Sequence, residues 1–244
     1  MGKNLITQKR GKGASVYKSH SFRYVGKVKH HASSKEEESD KVTGKVKDIV
    51  HSSGHYAPIA KVTYQGKESL EIASFGLRVG DEVSSGKNAK IKDGNVLPLE
   101  SISEGSLIFN IESLPGDGGK FVRTSGGFAR VLSKTSDQVK VMLPSKKEHS
   151  FNPRCRATLG VVAGGGRPEK PILKAGLMSK KRAARGKLYP RTSALSMNAV
   201  SHPFGGSSSA HKGKPLIARK NAPAGAKAGM LRPKRTGRGK GRKK

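Results

Sequence analysis

All 17 Asp and Glu residues of the chain fall between Glu36 and Glu169, which leaves 35 residues at one end and 75 at the other without a carboxylate side chain. Lys and Arg are spread differently: nine lie in residues 1–35, 20 in 36–170 and 20 in 171–244. The middle is therefore close to neutral, and nearly all of the formal net charge of +32 sits on the two ends. No folded core can take up such ends, because a charge removed from water without a partner carries a large desolvation cost. Their counter-charge has to come from another molecule.

Only the middle has the recurrence of apolar residues that a core needs, and its length suits one medium domain or two small ones. From about Thr43 the segments VTGKVKDIVH, APIAKVTY and ESLEIAS are rich in Val, Ile, Tyr and Thr. Alternation at Val46, Ile49 and at Ile59, Val62, Tyr64 predicts strands. Turn residues at Gly76, Gly80-Asp81, Gly86 and Asp93-Gly94-Asn95 come too often for βαβ units and suit a small barrel. VGDEV, closed by LPLESISEG near residue 100, reads as its end. A second set begins at Ser106 with LIFNIES, KFVRT, FARVLSK, QVKVMLP, HSFNP and ATLGVVAGGG. Hairpin turns at 133–137 and 144–146 divide it, and the pattern predicts a compact barrel of five or six strands over about 104–166.

After Gly164-Gly165-Gly166 the β signal stops. One helix is predicted over Lys174–Ala184, with Lys180, Lys181, Arg182 and Arg185 crowding the end where cations suit the helix dipole. From Gly186 onward, Gly, Ser, Pro and basic residues alternate with single apolar ones. Such a stretch buries too little surface to offset its ordering entropy and should stay extended or disordered until bound.

The lone cysteine, Cys155, excludes an internal disulfide framework and a Cys-based zinc site, and points to a reducing compartment. No apolar run reaches signal-peptide or membrane-span length, so a soluble intracellular protein is expected.

Catalytic readings fail on residue type. Gly116-Asp117-Gly118-Gly119-Lys120 invites comparison with a phosphate-binding loop, but the spacing is short and Phe121 stands where a hydroxyl is required. It reads as a wide turn, or as bare backbone that an RNA phosphate can approach, with Lys120 and Arg123 beside it. The same two readings apply to Gly164-Gly165-Gly166-Arg167. His30-His31, His51, His55, His202 and His211 lack metal-ligand spacing and read as solvated or RNA-contacting rings. Ser207-Ser208-Ser209 lies near His202 and His211, yet no acid is available there to orient a triad. No cofactor and no small-molecule substrate are expected, and Mg2+ only as ions held by RNA.

The ends do offer phosphate-binding chemistry. Lys binds as a point charge, while Arg adds bidentate hydrogen bonds and stacking. Tyr17, Phe22, Tyr24, Tyr189 and Phe204 add rings that stack on bases. A chromatin-like DNA compactor would also be basic, but has no need of two β barrels with glycine loops. An enzyme acting on RNA would need a cluster of acids, a metal site or a nucleophile in the middle, and none stands out.

Several stretches are familiar in order: QKRGKG, VKDIVHSSG, APIAKV, GNVLPL, PGDGGKFVRTSGG, CRATLGVVAGGGRPEKPILKAG, MNAVSHPFGG, NAPAGAKAG and KRTGRGKG. Together they closely resemble the universal second protein of the large ribosomal subunit, in its archaeal-eukaryotic branch, and SLEIASFGLRVGDEV looks archaeal. The resemblance implies a mostly β protein: a basic N-terminal extension over 1–35, an OB-like barrel over 36–103, an SH3-like barrel over 104–170, and a basic C-terminal extension over 171–244 with one short helix. It implies a cytoplasmic, non-enzymatic constituent of the large subunit. Its partners would be large-subunit rRNA and neighbouring ribosomal proteins, with contact to the small subunit and no membrane. It also implies support of rRNA folding and subunit joining, with the C-terminal extension reaching toward the peptidyl transferase region. The family's histidine loop maps onto Met197–Gly206, where Ser201 replaces an acidic residue and Ser207 to Ser209 a glycine-rich run. The residues expected on rRNA are Arg10, Lys12, Arg23, Lys120, Arg123, Arg167, Lys180, Lys181, Arg182, Arg185, Arg191, His202, Arg235 and Arg238.

Overall fold

The structure, a computed structural model, describes residues 2–33, 37, 39–208, 210–223 and 226–233. These belong to two compact units, one built from Ser21–Leu173 and the other from Met1–His20 with Lys174–Lys244.

The first unit is mostly β. Its strands are β1 (Lys41–Val50), β2 (Ile59–Tyr64), β3 (Lys67–Ile72), β4 (Glu82–Gly86), β5 (Val96–Pro98), β6 (Leu107–Phe109), β7 (Ala129–Lys134), β8 (Val139–Met142), β9 (Glu148–Phe151) and β10 (Arg156–Leu159). They form one sheet in the order β3-β2-β1-β4-β5-β10-β6-β7-β8-β9. Every neighbouring pair is antiparallel except β4 and β5, which touch in parallel through Ser85 and Val96 alone. That thin junction separates two groups of strands, each with its own apolar cluster.

In β1 the period of two is visible as Val42, Gly44 and Val46 turn inward, until a bulge after Val46 ends the alternation. Gly44 is required there because the Tyr64 ring and Val62 occupy the space a side chain would take. Val42, Val46, Val62, Tyr64 and Val83 make the first cluster. Leu97, Leu99, Ile102, Ile108, Ile111, Val131, Val141, Phe151 and Cys155 belong to the second. Removing a buried Leu from such a cluster costs about 2–5 kcal/mol.

Three features differ from the sequence reading. LPLESIS, read as the end of the first barrel, belongs to the second group: β5 pairs with β10 over three residues, and Leu97, Leu99 and Ile102 lie in the second cluster. KFVRT forms only an isolated bridge, Ile111 to Phe121, because Gly118, Gly119 and Val122 all have positive φ and curl the backbone away from a ladder. Residues 21–33, read as part of the N-terminal extension, pack on the β unit: Val28 and His30 are buried, and the Lys29 amide donates to the Leu70 carbonyl at 2.9 Å. Apolar Val28 joins Ile59, Ile72 and Phe109, an affinity hidden by its basic neighbours.

The second unit holds the predicted helix, here α1 (Ala175–Ala183), with no buried residue and Lys180, Lys181 and Arg182 in its last turn. The stretch that follows was expected to be extended or disordered, but where described it is turned. Gly205 and Gly206 donate to the carbonyls of His202 and Met197, both at 3.0 Å, and Phe204 is buried. Short-range backbone bonds, which single-residue hydrophobicity does not register, close these turns. Among the described residues no helix is long and apolar enough to cross a membrane.

Candidate nucleic-acid interface

The glycine loop at 116–120 has the geometry of an anion cradle, and the chain fills that cradle itself. Gly116 and Gly118 donate to the Glu112 carboxylate at 3.2 and 3.1 Å, and Gly119 donates to Asp117 at 3.0 Å. Positive φ at all three glycines turns the amides inward. Glu112 also accepts from the Arg156 backbone N–H at 2.9 Å and from the Arg156 Nη2 at 2.9 Å. The other arm of the Arg156 fork reaches Glu37 at 3.0 Å and the His31 carbonyl at 2.8 Å. Burial pushes the Glu112 carboxyl up, but the Arg156 hydrogen bonds and charge outweigh it and hold the group below the ordinary carboxylate range. An RNA phosphate therefore meets a loop whose amides already bind a carboxylate.

Histidines 30 and 31 also point inward rather than to RNA. His30 donates from Nε2 to the Asn110 carbonyl at 2.6 Å, and burial first, then the Arg156 charge, lowers its pKa to about 4. His31 contacts Glu37 at 3.2 Å and stacks at 4.7 Å from Tyr64. Behind it Glu71 accepts from the His31 amide and from the Tyr64 hydroxyl, and burial raises its pKa to about 7.

The expected RNA-binding residues divide by environment. Arg123 is half-buried, and its guanidinium donates to the carbonyls of Val28 at 2.6 Å and Gly119 at 3.2 Å, so both terminal nitrogens are engaged within the fold. Lys120 is exposed but pairs with Asp117 at 3.0 Å. Arg167 lies 3.8 Å above the Tyr56 ring and bonds the Ser125 hydroxyl at 3.0 Å. This plate is set by backbone contact: Gly126 comes so close to Gly165 that a side-chain carbon on it would lie 2.5 Å from the Gly165 Cα. Arg23 is exposed, with its guanidinium 5.4 Å from the Phe22 ring.

In the second unit Arg10, Lys12, Lys180, Lys181, Arg182 and Arg191 are exposed and Arg185 is half-buried. Arg10 lies 5.8 Å from the Tyr17 ring, whose hydroxyl donates to the Ile6 carbonyl at 3.2 Å. His202 accepts from the Phe204 amide at Nδ1 over 3.0 Å, so the neutral ring presents its N–H at Nε2; partial burial lowers its pKa. Arg235 and Arg238 lie outside the described residues. Among the described residues no three His, Cys, Asp or Glu converge as a metal site.

Residues 92–225 match the profile of the family described as Ribosomal Proteins L2, C-terminal domain. Large ribosomal subunit protein uL2 of Methanosphaera stadtmanae is 46% identical over 239 residues, covering 98% of this chain and 99% of that protein. The uL2 proteins of Methanothermobacter thermautotrophicus and Methanocaldococcus jannaschii are also 46% identical, over 98% and 97% of this chain. The chain belongs to the uL2 family. Its similarity to these archaeal members spans both acid-free ends as well as the β unit.

For this uL2-family chain, the Arg156–Glu112–Glu37 network was missed in the sequence. Its members are separated by 44 and 119 positions, and none has a local pattern that marks it.

Proposed function

We propose that the chain is a structural constituent of the large ribosomal subunit in the cytoplasm and binds large-subunit rRNA. In this reading the β unit, an OB-like barrel followed by an SH3-like one, is a rigid platform. The basic ends neutralise phosphates of several RNA helices at once. Support for rRNA folding, for subunit association and for the architecture around the peptidyl transferase centre follows from that cross-linking.

The observation that carries the proposal is the meeting of two facts. The family match runs the length of the chain, and 30 Lys and Arg, nine in residues 1–35 and 21 in 170–244, lie in stretches without a carboxylate. Arg167 over Tyr56 adds a cationic plate suited to a base or a phosphate. In this reading Nε2 of His202 donates to RNA, Arg235 and Arg238 contact phosphate, Mg2+ enters only with the RNA, and no catalytic residue is assigned.

Sucrose-gradient sedimentation of cell extract at low magnesium, in moderate and then high salt, tests this directly. Comigration with the large-subunit peak through high salt is expected. Migration in light fractions or with DNA would overturn it.

A further inference from the structure

Phe75 and Ile91 are 74% and 63% exposed, yet neither sits on a loose loop. The Phe75 amide donates to the Val161 carbonyl at 2.7 Å, next to an isolated bridge between Ser74 and Val162. Ile91 precedes a turn fixed by the Gly94 amide on the Leu159 carbonyl at 3.0 Å. Two shallow hollows, of about 120 and 220 Å³, share Lys92 and Asp93; Phe75 edges the first and Ile91 the second. The two exposed side chains thus edge adjoining hollows around the Lys92–Asp93 turn rather than unrelated parts of the surface.

The lining of the two hollows is mainly acidic, although Arg78 and Lys90 stand beside it in the chain. Asp81, Glu82 and Asp93 edge the hollows, against Lys92 alone. No Lys or Arg side chain pairs with any of these three carboxylates among the described residues. The Asp81 carboxylate also accepts from the Arg78 amide at 2.8 Å; a phosphate entering the hollows would face these carboxylates, whereas a cationic side chain would find acceptors beside an apolar seat.

We propose that this face docks a neighbouring polypeptide whose contacting segment places an apolar side chain beside Lys or Arg. The inference rests on the ribosomal reading above and adds a protein-facing surface to it. It assigns the two kinds of partner to different places: RNA to the acid-free ends and the Arg167–Tyr56 plate, protein to the face around Phe75, Ile91 and Asp93.

The test places a benzophenone amino acid at position 75, and separately at 91, of the full chain in its own cells. Large subunits are then purified, irradiated and analysed for adducts. Peptide adducts that contain Lys or Arg next to an apolar residue are expected, with at least a fivefold loss in Asp81→Lys/Asp93→Lys chains that still enter the subunit. Nucleotide adducts, no adduct, or adducts indifferent to the charge reversal would overturn the inference while leaving the ribosomal reading intact. Absence of the chain from the large-subunit peak would overturn both.

Discussion

In the β unit, cations meet carboxylates and carbonyls of the same chain: Arg156 binds Glu37 and Glu112, Lys120 meets Asp117, and Arg123 closes on Val28 and Gly119. In the second unit the run Lys180, Lys181, Arg182 ends a helix in a stretch of sequence without one acidic residue. Both regions are rich in Lys and Arg, and the positions differ only in where the opposite charge comes from. Paired inside, an arginine fixes a loop; in a stretch without acids it is, on the function proposed above, the residue that meets an anionic partner.

The sharpest way to break that contrast is to remove one internal acid. Glu112→Gln leaves the Arg156 charge half-paired in a buried site, and is expected to cost about 3–5 kcal/mol in urea unfolding. Alanine at Lys180, Lys181 and Arg182 together should move the same unfolding curve by less than about 0.5 kcal/mol. Equal shifts would mean that the two regions do not differ.

RNA binding should reverse the ranking. Each phosphate contact contributes roughly 0.7–0.9 to the slope of log affinity against log salt, so the triple alanine chain should lose about 2–3 from the slope of its binding to purified rRNA. Arg123→Gln, which removes the charge, should leave that slope nearly unchanged, since the guanidinium is bonded to carbonyls of the fold. A slope loss at Arg123 equal to one full contact would return it to the interface.

A smaller effect follows from the two buried titrating groups. Folded Glu71 holds its proton up to about pH 7 while the unfolded chain releases it near 4.5, so its share of stability falls as pH rises through that window. His30 has the opposite sign: unfolded it binds a proton below 6.5, folded only below about 4, so stability from it rises with pH between them. From pH 4.5 to 6.5 the two slopes oppose each other. Glu71→Gln should uncover the His30 slope, up to about 1.4 kcal/mol per pH unit, when unfolding is compared at pH 5 and 6. Lys120→Ala should cost under about 1 kcal/mol, because its ion pair with Asp117 leaves the lysine largely in water.

The strands were legible because period-two patterns and Gly or Pro punctuation are local. β1, β2 and β3 coincide with VTGKVKDIVH, APIAKVTY and ESLEIAS, and α1 falls within the predicted helix. KFVRT carried the composition of a strand, and positive φ at Val122 overrode it. The place of Leu97 and Leu99 was not legible, because Leu97 pairs with Ala157 on β10 and the Leu99 amide bonds the Cys155 carbonyl, both more than fifty positions on, and pairing across that distance leaves no periodic mark. At the interface, the basic character of the ends could be read by counting. That Arg123 faces inward could not, since an arginine bonded to carbonyls and one awaiting phosphate look alike in a sequence.

Cys155 is the only cysteine in the chain; it is wholly buried in the second cluster, and burial raises its thiol to about 11. A thiolate there is scarce and inaccessible, so an alkylating reagent can react only when the cluster opens. The molecule thus contains a clock for its own breathing. The labelling rate of native, unmodified protein reads how often the β5–β10 half parts, with no dye or tag to disturb it.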